Sequence, residues 1–379
     1  MAEKMKIVIV SGNAFQEDYG GVLEHVRYLL PHLAEFKDLQ ISFLTFGNEN
    51  VSYNKNKINY IILKRKFNKI FYFFELLYDI KRIKNIINKI DPDIIHLQST
   101  IPLFSLCGIL LKKKYHILIT VHGYLSEEFK LYSGVIKLFY RFFCVPIERV
   151  ALVKIPNIIV LSPKFETMIH RITNSKIYII PNGIDLNYVK KIDSYKKKEF
   201  PTVFFLGYIN KGKGLEDLVK ALQLVKKNVN NVKLYIGGIG PYSNKLKKII
   251  LNLNIEKDVI FLGFLNTEEK YAYLKSMDVV VLPSYWESLP MVLLESMACG
   301  KPIIATDVGG ISSIITDGVN GFLIKPGDFK LLAEKILFLI EDKERIEKIC
   351  INNMKKAQRY DWNIIAQQTR NAYLELDPK

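Results

Sequence analysis

Two carboxylates eight residues apart, Glu287 and Glu295, are the strongest candidates for chemistry in this sequence. Glu295 has leucines and a methionine as its near neighbours in the chain. An acid among apolar neighbours lies either on a solvated face or against a ligand or partner. Either acid alone favours an ordinary surface helix. The two together, inside the motif-rich stretch 278–310, favour a binding site.

The elements around these acids form a strand, a helix and a second strand. Val279–Leu282 is a β-branched run typical of a buried strand, and Met291–Cys299 has helical character that Gly300 ends. Ser288 is the candidate N-cap of that helix, and Pro290 is placed in its first turn. With a second buried strand at residues 303–305, this order predicts a right-handed βαβ unit.

The loop that carries Glu287 is predicted to lie at the carboxyl end of a strand. Ligands of open α/β sheets bind at that edge. The amides at the start of the following helix favour an anion such as a diphosphate. These amides lie around Ser288, Leu289, Pro290 and Met291.

A second strand-to-helix turn is rich in glycine and lysine. It reads GYINKGKG over residues 207–214, after the predicted strand Thr202–Leu206. Backbone amides and point charges at such a turn can cradle a phosphate. A solvated basic loop is the plain alternative in a chain with this much lysine.

Two features of the N-terminal half have both structural and functional interpretations. Gly20-Gly21 follows the first predicted strand and opens a helix, where a phosphate can approach the backbone; a purely structural turn is the alternative that physics slightly favours. His122 ends a strand at its carboxyl edge, and a satisfied structural histidine is the alternative there.

The acids of Asp91-Pro92-Asp93 precede a strand, so we do not interpret them as a metal site.

The hydrophobic pattern predicts an α/β fold built on a mostly parallel sheet. Short apolar runs recur along the chain and helical patterns separate most of them, which is typical of helices on both faces of a sheet. The predicted strands of the first half are 6–10, 40–46, 60–63, 94–97, 116–121, 158–161 and 176–180. Those of the second half include 202–206, 234–236, 259–264, 279–282 and 303–305.

The domain boundary is predicted near the Asn182-Gly183 turn. The stretch 188–200 is rich in lysine and lacks a core pattern, so it is interpreted as linker. The predicted organisation is an N-terminal domain over 1–185, a linker over 186–200 and a C-terminal domain over 201–360.

Composition limits the class of protein. The chain has 379 residues and 49% hydrophobic residues, yet no apolar run approaches the roughly 18 residues of a membrane-spanning helix. Its N-terminus shows no signal-peptide pattern, and its four widely spaced cysteines form no metal-type pair, which predicts a reduced cytosolic protein.

The net charge of +16 requires a partner or another cause. Nucleic acid, an anionic membrane and AT-rich coding are the alternatives, and the chain shows no RNA-binding signature. Two basic segments with interleaved aromatic residues, 64–89 and 129–143, suit a membrane interface. Helices that simply bury one apolar face against a sheet are the alternative.

The stretch around the two acids resembles the donor-site motif of retaining nucleotide-sugar glycosyltransferases of family 4, which have the GT-B fold. The matching residues are Glu287, Glu295, Gly300, Pro302 and Gly309-Gly310. The resemblance covers nearly the whole chain and is strongest over 202–328. It implies two Rossmann-like doubly wound domains with a cleft between them, and a C-terminal helix, 361–379, that crosses back to the first domain.

The resemblance also implies roles for individual residues. Glu287 touches the donor sugar, Glu295 holds the ribose hydroxyls, and His122 faces the sugar. Lys213 neutralises the diphosphate, but Tyr208 stands where the family has an arginine, and Lys211 is a conjectural replacement. The Gly20-Gly21 turn lies near the diphosphate, and Phe264 ends the strand near the nucleotide base.

The implied activity is metal-independent transfer of a sugar, with retention of configuration, from a UDP-linked donor in cell-surface polysaccharide biosynthesis. The acceptor is a saccharide or a polyprenol-linked saccharide, no cofactor is expected, and the enzyme is cytoplasmic or peripheral on the inner face of the membrane. A sugar-nucleotide epimerase or phosphorylase of the same fold is the alternative. A basic nucleic-acid-binding protein is the alternative from another class.

Overall fold

The structure is a computed structural model that describes residues 4–12, 20–64, 72–131 and 134–377. It divides into two compact units. Unit 1 comprises Met1–Gly183 and Trp362–Lys379, and unit 2 comprises Ile184–Asp361. The stretch interpreted from sequence as linker begins with a helix, Leu186–Lys191, and that helix belongs to unit 2.

Unit 1 is built on a sheet that is parallel except at one edge. In the part of the chain that the structure describes, its strands are β1 (Met5–Val10), β2 (Leu39–Gly47), β3 (Val51–Lys55), β4 (Ile58–Lys64), β5 (Ile94–Leu97), β6 (His116–Val121), β7 (Asn157–Val160) and β8 (Lys176–Ile179). Their order is β3-β4-β2-β1-β5-β6-β7-β8. The apolar central strands are buried on both faces, as parallel sheets require.

The antiparallel edge is a hairpin that the sequence analysis missed. β3 pairs with β4 through a turn in which Asn56 and Lys57 both have positive φ, 50° and 64°. This is the conformation of the tight turns that join antiparallel strands. β3 is almost wholly exposed, so its sequence lacks the apolar alternation by which a strand is predicted.

Helices connect the strands of unit 1. They are α1 (Gly21–Ala34), α2 (Tyr72–Ile90), α3 (Pro102–Leu111), α4 (Leu125–Glu128), α5 (Gly134–Phe139), α6 (Val145–Lys154) and α7 (Pro163–His170). A π-helical turn, Tyr140–Cys144, joins α5 to α6.

The basic segment 64–89 contains α2, and its apolar side faces the core. Leu76, Ile80, Ile83 and Ile87 are all buried. Of the apolar residues that the sequence analysis offered to a membrane, Ile80 and Ile83 are thus packed within unit 1, whereas Leu77 is exposed. Residues 65–71 of that segment lie outside the described part of the chain.

Unit 2 contains a wholly parallel six-stranded sheet of order β11-β10-β9-β12-β13-β14. These strands are β9 (Thr202–Leu206), β10 (Lys233–Gly237), β11 (Val259–Gly263), β12 (Val279–Leu282), β13 (Ile303–Thr306) and β14 (Phe322–Ile324). The helices are α8 (Leu186–Lys191), α9 (Leu215–Val225), α10 (Ser243–Asn252), α11 (Thr267–Ser276), α12 (Met291–Ala298), α13 (Ile311–Ile314), α14 (Phe329–Glu341) and α15 (Lys343–Ala357).

The strand order of unit 2 reverses between β9 and β12. From β9 the chain builds outward through β10 and β11, and it then returns to the other side of β9 to place β12. The loops after β9 and β12 therefore diverge at the carboxyl edge and leave a crevice, which is where doubly wound sheets bind ligands. The predicted α/β fold with two parallel, Rossmann-like sheets is confirmed.

The last helix, α16 (Trp362–Leu376), completes unit 1. Trp362 is buried, its ring meets that of His25 at a centroid distance of 5.2 Å, and it stacks on Tyr28 at 6.0 Å. Arg370 of the same helix makes a two-pronged ion pair with Asp38. An aromatic anchor and a bidentate pair thus attach this helix to α1 and the turn after it.

Gly183 lies so close to Trp362 that a side chain there must displace the ring. A Cβ built on Gly183 would be 2.4 Å from the nearest indole atom. We expect Gly183→Ala to lower the free energy of unfolding of unit 1 by about 1 to 3 kcal/mol, the usual cost of overpacking. Urea unfolding followed by the fluorescence of Trp362, with the chain's other tryptophan changed by Trp286→Phe, measures this.

The matched control is Gly12→Ala, because no atom of the described residues lies within 4 Å of a Cβ built on Gly12. It should change the free energy of unfolding by no more than about 0.5 kcal/mol. Equal effects of the two substitutions would contradict the proposed packing of Trp362.

Candidate active site

A lysine and a carboxylate from the two diverging loops of unit 2 meet at the carboxyl edge of the sheet. Lys213 Nζ donates to Glu287 Oε1 at 2.5 Å, and Ser284 Oγ donates to the same oxygen at 2.6 Å. Lys213 belongs to a 3-10 turn, Lys211–Lys213, after β9, whereas Ser284 and Glu287 follow β12. Two residues singled out separately in the sequence are therefore brought together at the crevice.

The two loops come this close because one of them has no side chain at the contact. Gly214 has φ +66°, and a Cβ there would lie 1.9 Å from the carbonyl oxygen of Pro283. Next to it, the amide of Tyr285 donates to the carbonyl of Gly212 at 2.8 Å. Backbone packing of this kind fixes the position of the lysine turn relative to Glu287.

A second glycine holds the other side of the Glu287 loop. A Cβ on Gly309, which has φ +51°, would lie 1.5 Å from the carbonyl oxygen of Glu287. The amide of Gly310 donates to the carbonyl of Ser288 at 2.7 Å. The Gly-Gly turn after β13 thus supports the backbone that carries the carboxylate.

The predicted N-cap is wrong, because the loop is longer than the sequence pattern indicated. α12 starts at Met291, so Pro290, which was placed in the first turn, occupies the cap position, and no side chain caps the helix among the described residues. Ser288 lies two residues earlier with its carbonyl bound to Gly310, and its buried Oγ has no hydrogen-bond partner in the described chain. Leu289, beside it, is buried.

Glu295 is paired with a lysine that the sequence analysis missed. Lys270 Nζ, from α11, donates to Glu295 Oε1 at 2.5 Å, and both side chains are more than nine-tenths buried. Burying a lone carboxylate costs several kcal/mol, so Glu295 needs a cation beside it. Lys270 is 25 positions before Glu295, near the start of a different helix that carries both acidic and basic residues. No local sequence pattern therefore predicts the pair.

The remaining residues proposed for the donor site are exposed around this edge. Tyr208 and Lys211 follow β9, and Phe264 follows β11. Nearby, Tyr285 Oη donates to Asp217 Oδ2 at 2.8 Å. Burial and the adjacent carboxylate raise the pKa of Tyr285 to about 12, so it remains a donor at neutral pH.

His122 in unit 1 is held in one tautomer by a buried amide. Its Nε2 lies 2.8 Å from Oε1 of Gln98, which is fully buried after β5. A carbonyl oxygen only accepts hydrogen bonds, so Nε2 carries the proton. Burial and the neighbouring His25 and His96 lower the pKa of His122, so the ring is neutral and Nδ1 is left as an acceptor.

Two more histidines surround His122 and share its neutral state. The rings of His25 and His122 meet edge to face at 4.6 Å, and His25 Nδ1 lies 2.9 Å from Asn182 Oδ1. His96 is bound between Tyr373 Oη and Thr120 Oγ1, each at 2.7 Å. Burial lowers the pKa of His25 to about 4 and that of His96 to about 3.

The loop that follows His122 is organised by a buried acid. Glu148 of α6 accepts from the amides of Leu125 and Ser126, each at 3.0 Å, and from the hydroxyl of Thr100 at 2.7 Å. Burial raises its pKa to about 7 although these donors oppose the shift. The carboxylate takes the role of a cap for α4, because the N-cap residue Tyr124 makes no side-chain cap hydrogen bond.

The Gly20-Gly21 turn lies at the start of α1, where the connection from β1 ends. Gly20 is the N-cap residue with φ 143°, and the helix begins at Gly21. Residues 13–19, which lead into it, lie outside the described part of the chain. Among the described residues, no cluster of three or more histidines, cysteines or acids could hold a metal ion.

Family profiles match the two halves of the chain in succession. One described as Glycosyltransferase Family 4 matches residues 19–188, and one described as Glycosyl transferases group 1 matches residues 189–357. A similar curated protein is an uncharacterized glycosyltransferase of Methanocaldococcus jannaschii, 28% identical over 94% of this chain and 95% of that protein.

Two solved structures are similar over almost the whole chain. Sucrose-phosphate synthase of Thermosynechococcus elongatus has a TM-score of 0.85 and 23% identity, over 98% of this chain and 99% of that one. HepE of Anabaena, solved in complex with UDP-glucose, has a TM-score of 0.75 and 20% identity, over 98% of this chain and 100% of that one.

The buried ion pair Lys270–Glu295 should contribute far more to the free energy of unfolding than an exposed ion pair with the same N–O distance. We expect Lys270→Met to lower the free energy of unfolding of unit 2 by about 3 to 5 kcal/mol, because it leaves Glu295 buried without its cation. Lys348→Met is the control, since Lys348 is also 2.5 Å from a glutamate but both side chains are exposed. Its effect should stay within about 0.5 kcal/mol.

Urea unfolding curves measure both changes. The double variant Lys270→Met with Glu295→Leu should recover much of the loss, because it removes the uncompensated charge as well as the pair. Similar losses for Lys270→Met and Lys348→Met would show that the buried pair is not special.

Unit 1 should lose stability in acid because two of its histidines, His25 and His96, are buried in the neutral form. Between pH 6.5 and about 4 the unfolded chain binds protons on His25 and His96 that the folded chain lacks. Their contribution to stability is therefore complete above pH 6.5 and falls as the pH falls toward 4. Urea midpoints read from Trp362 fluorescence near pH 7 and near pH 5 measure this. His96→Gln should flatten the dependence, and an unchanged slope would contradict the assignment.

Proposed function

Because the chain belongs to the group 1 glycosyltransferases of family 4, retaining enzymes that use nucleotide-sugar donors, we propose that unit 2 binds a UDP-sugar at the crevice between β9 and β12. The observation that carries this proposal is the Lys213, Glu287 and Ser284 network at the point where the strand order reverses. HepE, which has a similar fold, was solved with UDP-glucose, and that complex supports UDP as the nucleotide.

The diphosphate is assigned to the lysine turn and the start of α12. Glu287 holds the ammonium of Lys213 at the crevice, where a point charge can neutralise phosphate oxygens. No side chain caps α12 among the described residues, so its first amides and the positive end of its dipole are available to an anion near Met291. Lys211 and Tyr208 are the two candidates for the second phosphate contact, since both are exposed on the same loop.

The sugar and the ribose are assigned to the two glutamates. Glu287 lies where the lysine turn and the β12 loop meet, which suits contact with the donor sugar beside its phosphate. Glu295 is proposed to hold the ribose hydroxyls, with Lys270 fixing the orientation of its carboxylate. The amides of Ser288 and Leu289 and the end of β11 at Phe264 complete the proposed nucleotide site.

His122 is proposed to accept a hydrogen bond from a sugar hydroxyl. Its Nε2 proton is committed to Gln98, and its low pKa keeps Nδ1 unprotonated. A neutral acceptor suits a hydroxyl group, whereas an imidazolium would only donate. The Gly20-Gly21 turn at the start of α1 is proposed to approach the diphosphate through its backbone.

The reaction exchanges one bond at the anomeric carbon for another. The bond to the phosphate oxygen breaks, the acceptor hydroxyl oxygen bonds to the same face of the carbon, and the departing phosphate takes the hydroxyl proton. Negative charge grows on the phosphate in this step, so Lys213 and the α12 amides lower its barrier. The proposed acceptor is a saccharide or a polyprenol-linked saccharide at the inner face of the cytoplasmic membrane, in the synthesis of a surface polysaccharide.

Activity should depend on one residue from each proposed contact. We expect Lys213→Ala and Glu295→Gln each to lower sugar transfer at least tenfold, because a lost charge-assisted hydrogen bond costs roughly 1.5 to 3 kcal/mol. Products formed from a panel of UDP-sugars and saccharide acceptors, in the presence of EDTA, are identified by mass spectrometry. Lys348→Ala, an exposed lysine of α15, is the control and should transfer normally.

Near-normal turnover by both site variants, with unchanged unfolding midpoints, would contradict the assignment. Conversion of the donor in the absence of any acceptor would instead indicate an epimerase. A strict need for a divalent cation would contradict the metal-independent reaction.

A further inference from the structure

One helical segment of unit 1 exposes an unusual density of large apolar side chains. The segment runs from α5 through the π-helical turn into α6, residues 134–154. Over eight positions it exposes Val135, Ile136, Leu138, Phe139 and Phe142, with exposed fractions from 41% to 81%. Contiguous apolar surface of this kind is rare on soluble monomers and marks an interaction site.

The opposite side of the segment is firmly packed, so the exposed side chains are displayed on a fixed element. Cys144 and Val145 are buried against Leu125, and the rings of Tyr140 and Phe143 pack on the same cluster. The apolar stripe continues along α6 through two exposed valines, Val150 and Val153.

The exposed charged side chains of the segment are all basic. Its basic residues are Lys137, Arg141, Arg149 and Lys154, and Lys137 alone is partly buried. Its one acid, Glu148, is fully buried and is bound by the amides of the loop after His122. The outer surface is therefore apolar and cationic, with no exposed carboxylate of its own.

We propose that residues 134–154 bind the surface of an anionic lipid bilayer, with the apolar side chains of α5 and the π-helical turn inserted between the headgroups. At 3.6 residues per turn, the five exposed apolar side chains span an arc of about 160°, with Lys137 and Arg141 outside it. A broad apolar face flanked by cations is the pattern of helices that lie in the membrane interface. No helix in the described chain is long and apolar enough to cross a bilayer.

Lipid fits this surface better than a second copy of the chain. A two-fold contact would place the segment against itself and so bring Arg141 and Arg149 toward their own copies. Like charges that face each other across an interface are unfavourable, whereas an anionic headgroup layer attracts every one of them.

This surface overlaps the second of the two basic segments that the sequence analysis offered to a membrane, 129–143, and is distinct from the first, 64–89. Helix α2 buries its apolar side in the core, and its exposed apolar residues are confined to Leu77 and Tyr78 among the side chains described there. The proposal gives the lipid-linked acceptor of the proposed function a point of entry, since Leu125 and Glu148 join the segment to the loop after His122. It does not depend on that function for its test.

The test is co-sedimentation of the whole protein with vesicles of phosphatidylglycerol and phosphatidylcholine, without any sugar donor. The wild type should pellet with anionic vesicles at low salt and be released by added salt. The variant Val135→Gln, Ile136→Gln, Leu138→Gln and Phe142→Gln should stay in the supernatant. The control, Leu77→Gln with Tyr78→Gln on α2, should pellet like the wild type.

A second variant tests the electrostatic part without touching the apolar face. Changing Lys137, Arg141 and Arg149 to glutamine should weaken binding to anionic vesicles by about a hundredfold, since each cation near such a surface contributes about fivefold. Circular dichroism and urea midpoints should match the wild type for all variants, because most of the changed side chains are exposed.

Three outcomes would overturn the proposal. They are a wild type that stays in the supernatant at low salt with strongly anionic vesicles, a glutamine variant of the apolar face that pellets normally, and a concentration-dependent dimer that the same variant abolishes. The last outcome would make the face a self-association interface. Transfer to a soluble acceptor is assayed separately, so failure of the glycosyltransferase proposal would leave the vesicle result standing.

Discussion

The candidate site of unit 2 depends on backbone meeting backbone at the carboxyl edge of a parallel sheet. Gly214 and Gly309 contact the backbone of the loop after β12 from two sides. Each glycine lies so close to a carbonyl oxygen of that loop that a side chain would not fit. That contact places Lys213 within hydrogen-bonding distance of Glu287, and it fixes the start of α12 beside them. The charged groups of the crevice can therefore act together only because the glycines allow their two loops to converge.

Most of the sheet could be predicted because buried parallel strands are short runs of apolar, often β-branched residues. The exceptions have physical causes. β3 is an exposed edge strand with polar side chains, and the pairing of Lys270 with Glu295 joins two helices that no local pattern connects. Ser288 has the right chemistry for a cap, but the contact of its own carbonyl with Gly310 extends the loop past it. The sequence pattern predicts the strands, the helices and the candidate charged residues. Which charged residues pair with each other is decided by tertiary contacts.

Three histidines of unit 1, His25, His96 and His122, show how a polar group can be buried and still face a candidate site. Each of the three is neutral and hydrogen-bonded to an amide or a hydroxyl group. The arrangement gives His122 a defined donor side, toward Gln98, and a defined acceptor side. Glu148 does the same for the following loop by accepting its amides, and it belongs to the segment whose outer face is apolar and basic. The surface proposed to face lipid and a candidate substrate-binding loop are thus joined through Glu148.

The return of the chain to unit 1 at Trp362 has a consequence for biosynthesis. The sequence of unit 1 is interrupted after Gly183 by all of unit 2, and Trp362 of α16 packs on His25 and Tyr28. At about 5 to 20 residues per second, a ribosome needs roughly 10 to 40 seconds to travel from one segment to the other. During that interval the nascent unit 1 exposes an aromatic and histidine-lined surface, whereas unit 2 is contiguous and can fold as it emerges. The second half of the protein is thus able to mature before the first.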